Sequence, residues 1–460
     1  MATKPSSQKF PKQIRYIIGN EGCERFSYYG MRSILVVFMV HQLGMEAIKA
    51  KTTFHLFSSA VYLLPLLGAY ISDRWLGKYK TILYLSLVYC AGHAVLSMFE
   101  STAGLYAGLA LIALGSGGIK PCVSAHVGDQ FSEKNQHLVE KVFGAFYWII
   151  NFGSFFSTLL IPYLLKTHGA GVAFAIPGVL MAIATWVFWL GRHDYVHVPP
   201  ARNSKEPGFL KIIGTAIWLQ IKGKSGGDFW KPAAKYFNAE QIEGAQAVAR
   251  LFKVFATVSV FWALFDQHGS SWVLQADRMD RVIFGIQLES SQISAINPIL
   301  VMLMIPLFTR FLYPGVERFG YVVTPLRKMS AGMVLAGASF VFAAWLEYLL
   351  DTGHTVSIAW QFIPYLIITA AEVLISVTGL EFAYTQAPRA MKSTIMGFWL
   401  MTVFAGNMLT AVVTQLNRFQ GADYYLFFAA LMGAVSLVFI WSAIRYKGKA
   451  WMQTSKAHAV

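Results

Sequence analysis

The chain is short of charge, of cysteine and of acids. Only 13% of its 460 residues are charged while 56% are hydrophobic, too little polar surface to clothe soluble domains of that length. Its three cysteines, Cys23, Cys90 and Cys122, show no metal-ligand spacing and lie in or at the edge of apolar runs. They imply neither a disulfide framework nor a metal site, and read as small packing groups. With 23 acidic against 38 basic residues the net charge is +15, a balance that would suit nucleic acid if the basic residues formed a soluble patch; they do not. A nucleophile with its base, a metal cluster and a phosphate loop are all missing, which argues against an enzyme.

What is present is a series of apolar runs of about 20 residues, each long enough to cross a bilayer. Twelve are readable: Tyr16–Val40, Phe54–Ile71, Ile82–Phe99, Leu105–Val123, Val142–Leu165, Val172–Leu190, Val254–Leu274, Ile293–Leu312, Met329–Leu349, Phe362–Tyr384, Ile395–Val413 and Tyr424–Ile444. The first is too long and too charged for a signal-peptide core and stays as a span. Most Lys and Arg fall on alternate loops, including Lys9 to Arg15, Arg74 to Lys80, the stretch from Arg192 to Lys253, and Arg445 to Lys456. Basic loops stay cytoplasmic, so both termini are expected inside. The fold class is an all-α membrane protein of twelve transmembrane helices in two six-helix bundles. Residues 1–190 form the first bundle, 191–253 a cytoplasmic linker, 254–446 the second bundle and 447–460 a cytoplasmic tail. Within the linker, Phe209 to Ile221 is too short and too interrupted by Lys211 and Gly214 to span, and suits a helix lying on the inner membrane surface.

The first span carries Glu21, Glu24 and Arg25, although ionisable groups at membrane depth are costly and usually functional. At 100° per residue, Glu21, Arg25, Tyr28 and Arg32 fall within an arc of about 60° with Glu24 beside it, so a polar stripe runs along an apolar rod. Burial opposes ionisation of the two acids and Arg25 supports it, a balance that lets a proton bind and leave. A buried ion network joining the first helix to a neighbour is the alternative. Acid–Arg–Gly turns follow the second and eighth runs, in Gly68 to Lys78 and Gly315 to Gly320, a weak internal repeat. The first resembles the inner-loop signature of the major facilitator superfamily, whose two halves rock about a midplane site. Its Asp73–Arg74 pair reads equally as a latch or a structural staple.

Several motifs resemble one family, the proton-dependent oligopeptide transporters of that superfamily. They are Glu21-x-x-Glu24-Arg25-Phe26-x-Tyr28-Tyr29-Gly30; Gly115 through Lys120-Pro121 to Phe131; Phe146-Tyr147 to Ser154 with Asn151; Phe261-Trp262 to Asp266-Gln267; Asn297-Pro298; and Glu372 through Glu381 and Tyr384 to Ala387-Pro388 and Lys392. They occur in order across both halves. The resemblance implies symport of di- and tripeptides, with protons as the coupling ion and no cofactor. Glu372 would take the peptide ammonium, and Arg25 and Lys120 its carboxylate. Tyr28, Tyr29, Tyr62, Asn151, Trp262, Asn297, Ser376 and Trp399 would line the pocket. Lys120, an ammonium at membrane depth, calls for a carboxylate from the first or tenth span, with Glu372 a candidate. Glu21, Glu24, Arg25, His55 and Asp266 are the proton-coupling candidates. Arg32 and Asp266, in the outer halves of their spans, could pair as an outer gate. His55 opens the second span, either as a proton relay or as an interfacial cap, whereas His93, His126 and His268 read as packing or polar lining.

Only a short segment separates the ninth and tenth spans, so the large outer domain of animal relatives is absent. No extra helix pair interrupts the linker, as in many bacterial ones. The sequence thus reads as a compact bacterial-type carrier, monomeric, lodged in the lipid of the cell inner membrane, with peptides rather than nucleic acid as partners. A relative carrying nitrate or another small anion, and a peptide receptor that moves nothing, are the rival readings.

Overall fold

The computed structural model describes residues 10–131, 138–200, 209–222, 229–386 and 391–446. The expected tail 447–460, linker residues 201–208 and 223–228, and the Ala387-Pro388 portion of the motif lie outside the described residues.

Its helices are α1 Ile14–Val37, α2 Ala47–Ile71, α3 Gly77–Met98, α4 Thr102–Asp129, α5 Val139–Leu190, α6 Phe209–Ile221, α7 Ala239–Phe265, α8 Ser271–Asp277, α9 Ile296–Leu307, α10 Tyr313–Arg318, α11 Pro325–Asp351, α12 Phe362–Glu372, α13 Thr378–Gln386, α14 Lys392–Leu416 and α15 Gly421–Arg445. Among the described residues nine continuous helical stretches are long and apolar enough to cross a membrane, two of them 52 and 53 residues long. A crossing needs about 20 residues, so each of these two is a pair of crossings. The chain turns at glycines with positive φ, Gly77 (+74°) between α2 and α3 and Gly169 (+80°) within α5, where a Cβ would be strained. The charges of α1 keep it out of a purely apolar count, and its 24 residues supply the twelfth crossing. The described residues are thus consistent with twelve crossings.

Three apolar clusters form among the described residues. One joins α1 to α5 around Met31, Phe54, Tyr89, Ile112 and Phe174; a second lies in the other half around Phe255, Phe261, Trp272, Phe340, Tyr365 and Phe428; a smaller third packs α9 through Leu300, Val301 and Met304 against Val373 and Leu374. The halves meet chiefly along α2 with α14 and α5 with α9. A short antiparallel hairpin, Val282–Ile283 with Ile286–Gln287, follows α8. We call that side of the bundle the hairpin end and the opposite side, which carries α6, the linker end.

Several spans differ from their sequence reading. α2 begins at Ala47 rather than near Phe54, which puts His55 two turns inside the helix and fully buried; it is not an interfacial cap. α7 starts at Ala239, fixed by a capping box in which Asn238 and Gln241 exchange side-chain and backbone hydrogen bonds. The seventh run is not one helix: α7 stops at Phe265, a 3₁₀ turn covers Asp266–Gly269, and α8 follows. The break is itself polar, Asp266-Gln267-His268-Gly269-Ser270-Ser271, but the apolar residues on both sides keep an average over about 20 residues high enough to read as one span. Pro298 lies in the first turn of α9 after a 3₁₀ segment, Ser290–Ala295, where a missing N–H costs little, so it bends nothing in mid-helix. π-turns close the second and eighth crossings, Ser72–Leu76 and Phe308–Leu312; the first holds Asp73 and Arg74 of the acid–Arg–Gly pattern, whereas Glu317 and Arg318 of its repeat lie in α10. α6 buries Phe209, Ile212, Ala216 and Leu219 against the second half, with Phe209 edge-on to Phe398 at 5.6 Å.

Candidate functional site

The polar stripe of α1 faces inward. Arg25 Nε donates to Glu21 Oε1 at 2.7 Å and lies 3.1 Å from Glu24 Oε2. Glu24 Oε1 accepts from the Ser116 hydroxyl of α4 at 3.2 Å. Glu24 is 1% exposed, so two acids share one guanidinium out of contact with water, which leaves one negative charge to be met by a proton or by the Lys120 ammonium that also acts on Glu24; an unpaired carboxylate there would be very costly. A close crossing makes room for Arg25, since an added Cβ at Gly153 of α5 would stand 3.0 Å from the Gly22 carbonyl and 3.7 Å from Arg25 Cβ.

Lys120 does not meet Glu372. Its Nζ stands 4.4 Å from the Tyr28 ring centroid and 4.6 Å from that of Tyr62, and no carboxylate lies within 4.0 Å of it among the described residues. Two aromatic faces stabilise an ammonium without neutralising it. Glu372 instead accepts from Asn297 Nδ2 at 2.8 Å, and the same amide reaches Thr369 Oγ1 at 3.0 Å. The π-turn Val373–Val377 directly after Glu372 interrupts the helix, a distortion common at functional positions, and turns Glu372 and Ser376 to one side.

Between these groups lies a cavity of about 220 Å³. Of the proposed lining residues Tyr28, Tyr29, Tyr62, Asn151, Trp262, Asn297, Glu372 and Ser376 border it, together with Arg32 and Asp266. Arg25, Lys120 and Trp399 stand behind the wall: Lys120 behind the two tyrosines, and Trp399 at 6.4 Å from the Trp262 ring. Ser33, Ser154, Thr158, Ser294 and His268 also border it. Of these, His268 was read as packing or lining from sequence; the small hydroxyls carry no individual signal, since they are equally common where helices merely pack.

The hairpin end of the cavity is sealed. Arg32 Nη2 donates to Asp266 Oδ1 at 2.6 Å, joining α1 to the turn after α7, and the guanidinium lies over Phe54 at 4.9 Å. Asp266 Oδ2 accepts from Asn407 Nδ2 of α14 at 2.5 Å, and Nδ2 also reaches the Val403 carbonyl at 3.1 Å. Both amide hydrogens are thereby used, so Asn407 Oδ1 faces His55 Nδ1, 2.8 Å away. That ring nitrogen must donate, which assigns the tautomer from the network and leaves Nε2 to meet the Ser270 hydroxyl at 2.8 Å. His55 and Asp266 are thus linked through one amide, not directly. Sequence reasoning missed Asn407, although an amide in the middle of an apolar helix is costly unless paired. Nearer the surface His41 pairs with Asp277 at 2.6 Å and Lys166 with Glu289 at 2.6 Å, again across the halves.

Residues 79–424 match the POT family model. Human solute carrier family 15 member 2 is 39% identical over 404 residues, covering 82% of this chain and 55% of that protein. Peptide transporter family 1 of Drosophila melanogaster is 40% identical over 363 residues, covering 74% and 48%. The chain therefore spans about half the length of the curated relatives it matches. Among solved structures, an auto-inhibited POT family peptide transporter superposes with a TM-score of 0.90 at 39% identity, over 97% of this chain and 99% of that one. The POT family transporter PepTSo does so with 0.87 at 42%, over 95% and 99%.

Proposed function

The chain belongs to the POT family, and on that premise we propose that it imports di- and tripeptides together with protons by alternating access. One observation carries this reading: behind the tyrosine wall of one half stands an ammonium with no carboxylate within 4.0 Å among the described residues, Lys120, while the other half lines the cavity with a carboxylate that has no cation within 4.0 Å among them, Glu372. Every short peptide has a free ammonium and a free carboxylate, and a site with one opposite charge from each half recognises both while aromatic walls of Tyr29, Tyr62 and Trp262 tolerate varied side chains. Glu372 and Asn297 receive the amino end; Lys120 and Arg25 receive the carboxyl end.

Coupling follows from the geometry. Protonation of Glu21 or Glu24 removes one of the two acids that hold Arg25, freeing its guanidinium for the peptide carboxylate. Peptide binding between Glu372 and Lys120 pulls the halves together at the linker side of the cavity. Protonation of Asp266 weakens the Arg32 latch and favours opening at the hairpin end, and His55 acts on Asp266 by orienting the Asn407 amide that contacts both, not by passing a proton through it. The proton is the coupling ion, and no cofactor is called for. The chain is placed as a monomer in the cell inner membrane with both termini and the linker cytoplasmic, so that the closed hairpin end is the outer one.

The test is uptake of a labelled dipeptide into proteoliposomes under an imposed proton gradient. Accumulation that collapses with the gradient is expected. Uptake of nitrate instead, or peptide binding without accumulation, would point to the anion-carrier or receptor reading.

A further inference from the structure

We propose that the groove between the linker ends of α11 and α15 is a binding site for an anionic phospholipid. The two helices are closely packed at Gly337, where an added Cβ would stand 3.6 Å from the Met432 side chain. Towards the linker end they leave between them a cavity of about 910 Å³. Small residues explain the gap, since Ser330, Ala331 and Ala443 stand where larger side chains would fill it. The groove's apolar lining is Val334, Leu335, Ile440 and Ile444. Val334 is 53% and Ile444 80% exposed, which in a membrane-spanning bundle means exposed to hydrocarbon.

The mouth has a different chemistry. Arg327 borders it beside Tyr321 and Thr324, with its guanidinium over the Tyr321 ring at 4.4 Å and Nη1 donating to the Val322 carbonyl at 2.7 Å. Among the described residues no carboxylate lies within 4.0 Å of that guanidinium, and no Asp or Glu lines the groove. The cation is therefore oriented but not neutralised. Lys328, over Tyr313 at 4.6 Å, and Arg445, over Trp441 at 4.2 Å, add positive charge at the same helix ends. Tyr and Trp beside Arg and Lys at helix ends mark the membrane interface. At 1.5 Å per residue, Val334 lies about 10 Å deeper than Arg327, so a molecule with its phosphate on Arg327 would lay an acyl chain along the floor. A basic pocket between crossing helices attracts anionic headgroups, whereas the ammonium of a zwitterionic lipid would face Lys328 and Arg445.

Native mass spectrometry of the purified full chain, titrated with phosphatidylglycerol or phosphatidylethanolamine of identical acyl chains, tests this. The first phosphatidylglycerol adduct should form in preference to phosphatidylethanolamine. Arg327→Gln should weaken it about fivefold, as expected for one basic residue at a lipid surface, while leaving phosphatidylethanolamine unchanged. Ala331→Leu, which fills the floor at an exposed position without altering charge, should weaken the same adduct. Equal retention of the two lipids, or an Arg327→Gln protein that keeps its phosphatidylglycerol, overturns the proposal. If Arg327→Gln does not fold, Ala331→Leu decides: an unchanged adduct would mean general surface attraction and no groove site.

Discussion

In the amino-terminal half, Arg25 is held between Glu21 and Glu24 at 2.7 and 3.1 Å, whereas in the carboxy-terminal half Glu372 rests on the neutral amide of Asn297. The first arrangement sets one guanidinium between two acids and so leaves one negative charge, the place for a proton rather than for a peptide. The second keeps a half-buried carboxylate on an amide with no cation within 4.0 Å among the described residues, and Lys120 of the other half lies on two ring faces with no carboxylate within that distance among them. The contrast separates two tasks. A self-contained cluster responds to a proton, and an unpaired acid and base held apart respond to a zwitterion that supplies both missing partners.

The largest effect is expected from breaking the self-contained cluster. Glu24→Gln should reduce gradient-driven dipeptide accumulation in proteoliposomes by tenfold or more, on the order of a lost charge-assisted buried hydrogen bond, while counterflow exchange persists. Full accumulation in that variant would remove Glu24 from coupling. Arg25→Lys should fail as well, because a point ammonium does not reproduce the guanidinium fork between two acids.

Glu372→Gln probes the open arrangement. Binding of a free dipeptide, followed by tryptophan fluorescence or calorimetry, should weaken roughly tenfold, and binding of an amino-blocked analogue should change little. Equal losses for both ligands would erase the distinction between the halves and take the ammonium role from Glu372.

At the gate, the Arg32–Asp266 pair, the Asn407–His55 contact and the His55–Ser270 contact join the halves. Asp266→Asn should lengthen the distance between spin labels on the hairpin ends of α1 and α7, measured by electron–electron resonance. Asn407→Leu, which keeps the Arg32–Asp266 pair but severs His55 from Asp266, should leave that distance near wild type at high pH and flatten its change across about pH 5 to 8. Identical pH curves in wild type and Asn407→Leu would confine His55 to packing. The smallest effect is expected at the rim: the Lys166–Glu289 pair is 55% and 20% exposed, exposed pairs contribute about 1 kcal/mol or less, and Lys166→Ala should shift uptake by less than about fivefold.

Much of the candidate site was legible in the chain because membrane depth makes polarity expensive. Charges at Glu21, Glu24, Arg25, Arg32, Lys120, Asp266 and Glu372 are conspicuous against apolar neighbours, and most of the lining aromatics follow from the motifs around them. Asn407 was not legible, since an amide carries no charge and its worth depends on Asp266 and His55, 141 and 352 residues away. The break after Phe265 was hidden for a related reason: hydropathy averages over a window, and the apolar residues on both sides outweigh a four-residue polar turn, Asp266–Gly269.

By itself, then, the sequence determined the number and course of the crossings, because a bilayer demands apolar runs of one length, and it determined which residues could hold charge among them. Partnership was decided only by the tertiary structure. Lys120 could have met Glu372, and Asp266 could have met His55; packing instead set two tyrosine rings beside the first and an asparagine between the second pair. Hydrogen bonds and ion pairs act over about 3 Å, and only the packing of the two halves brings groups hundreds of residues apart within that reach.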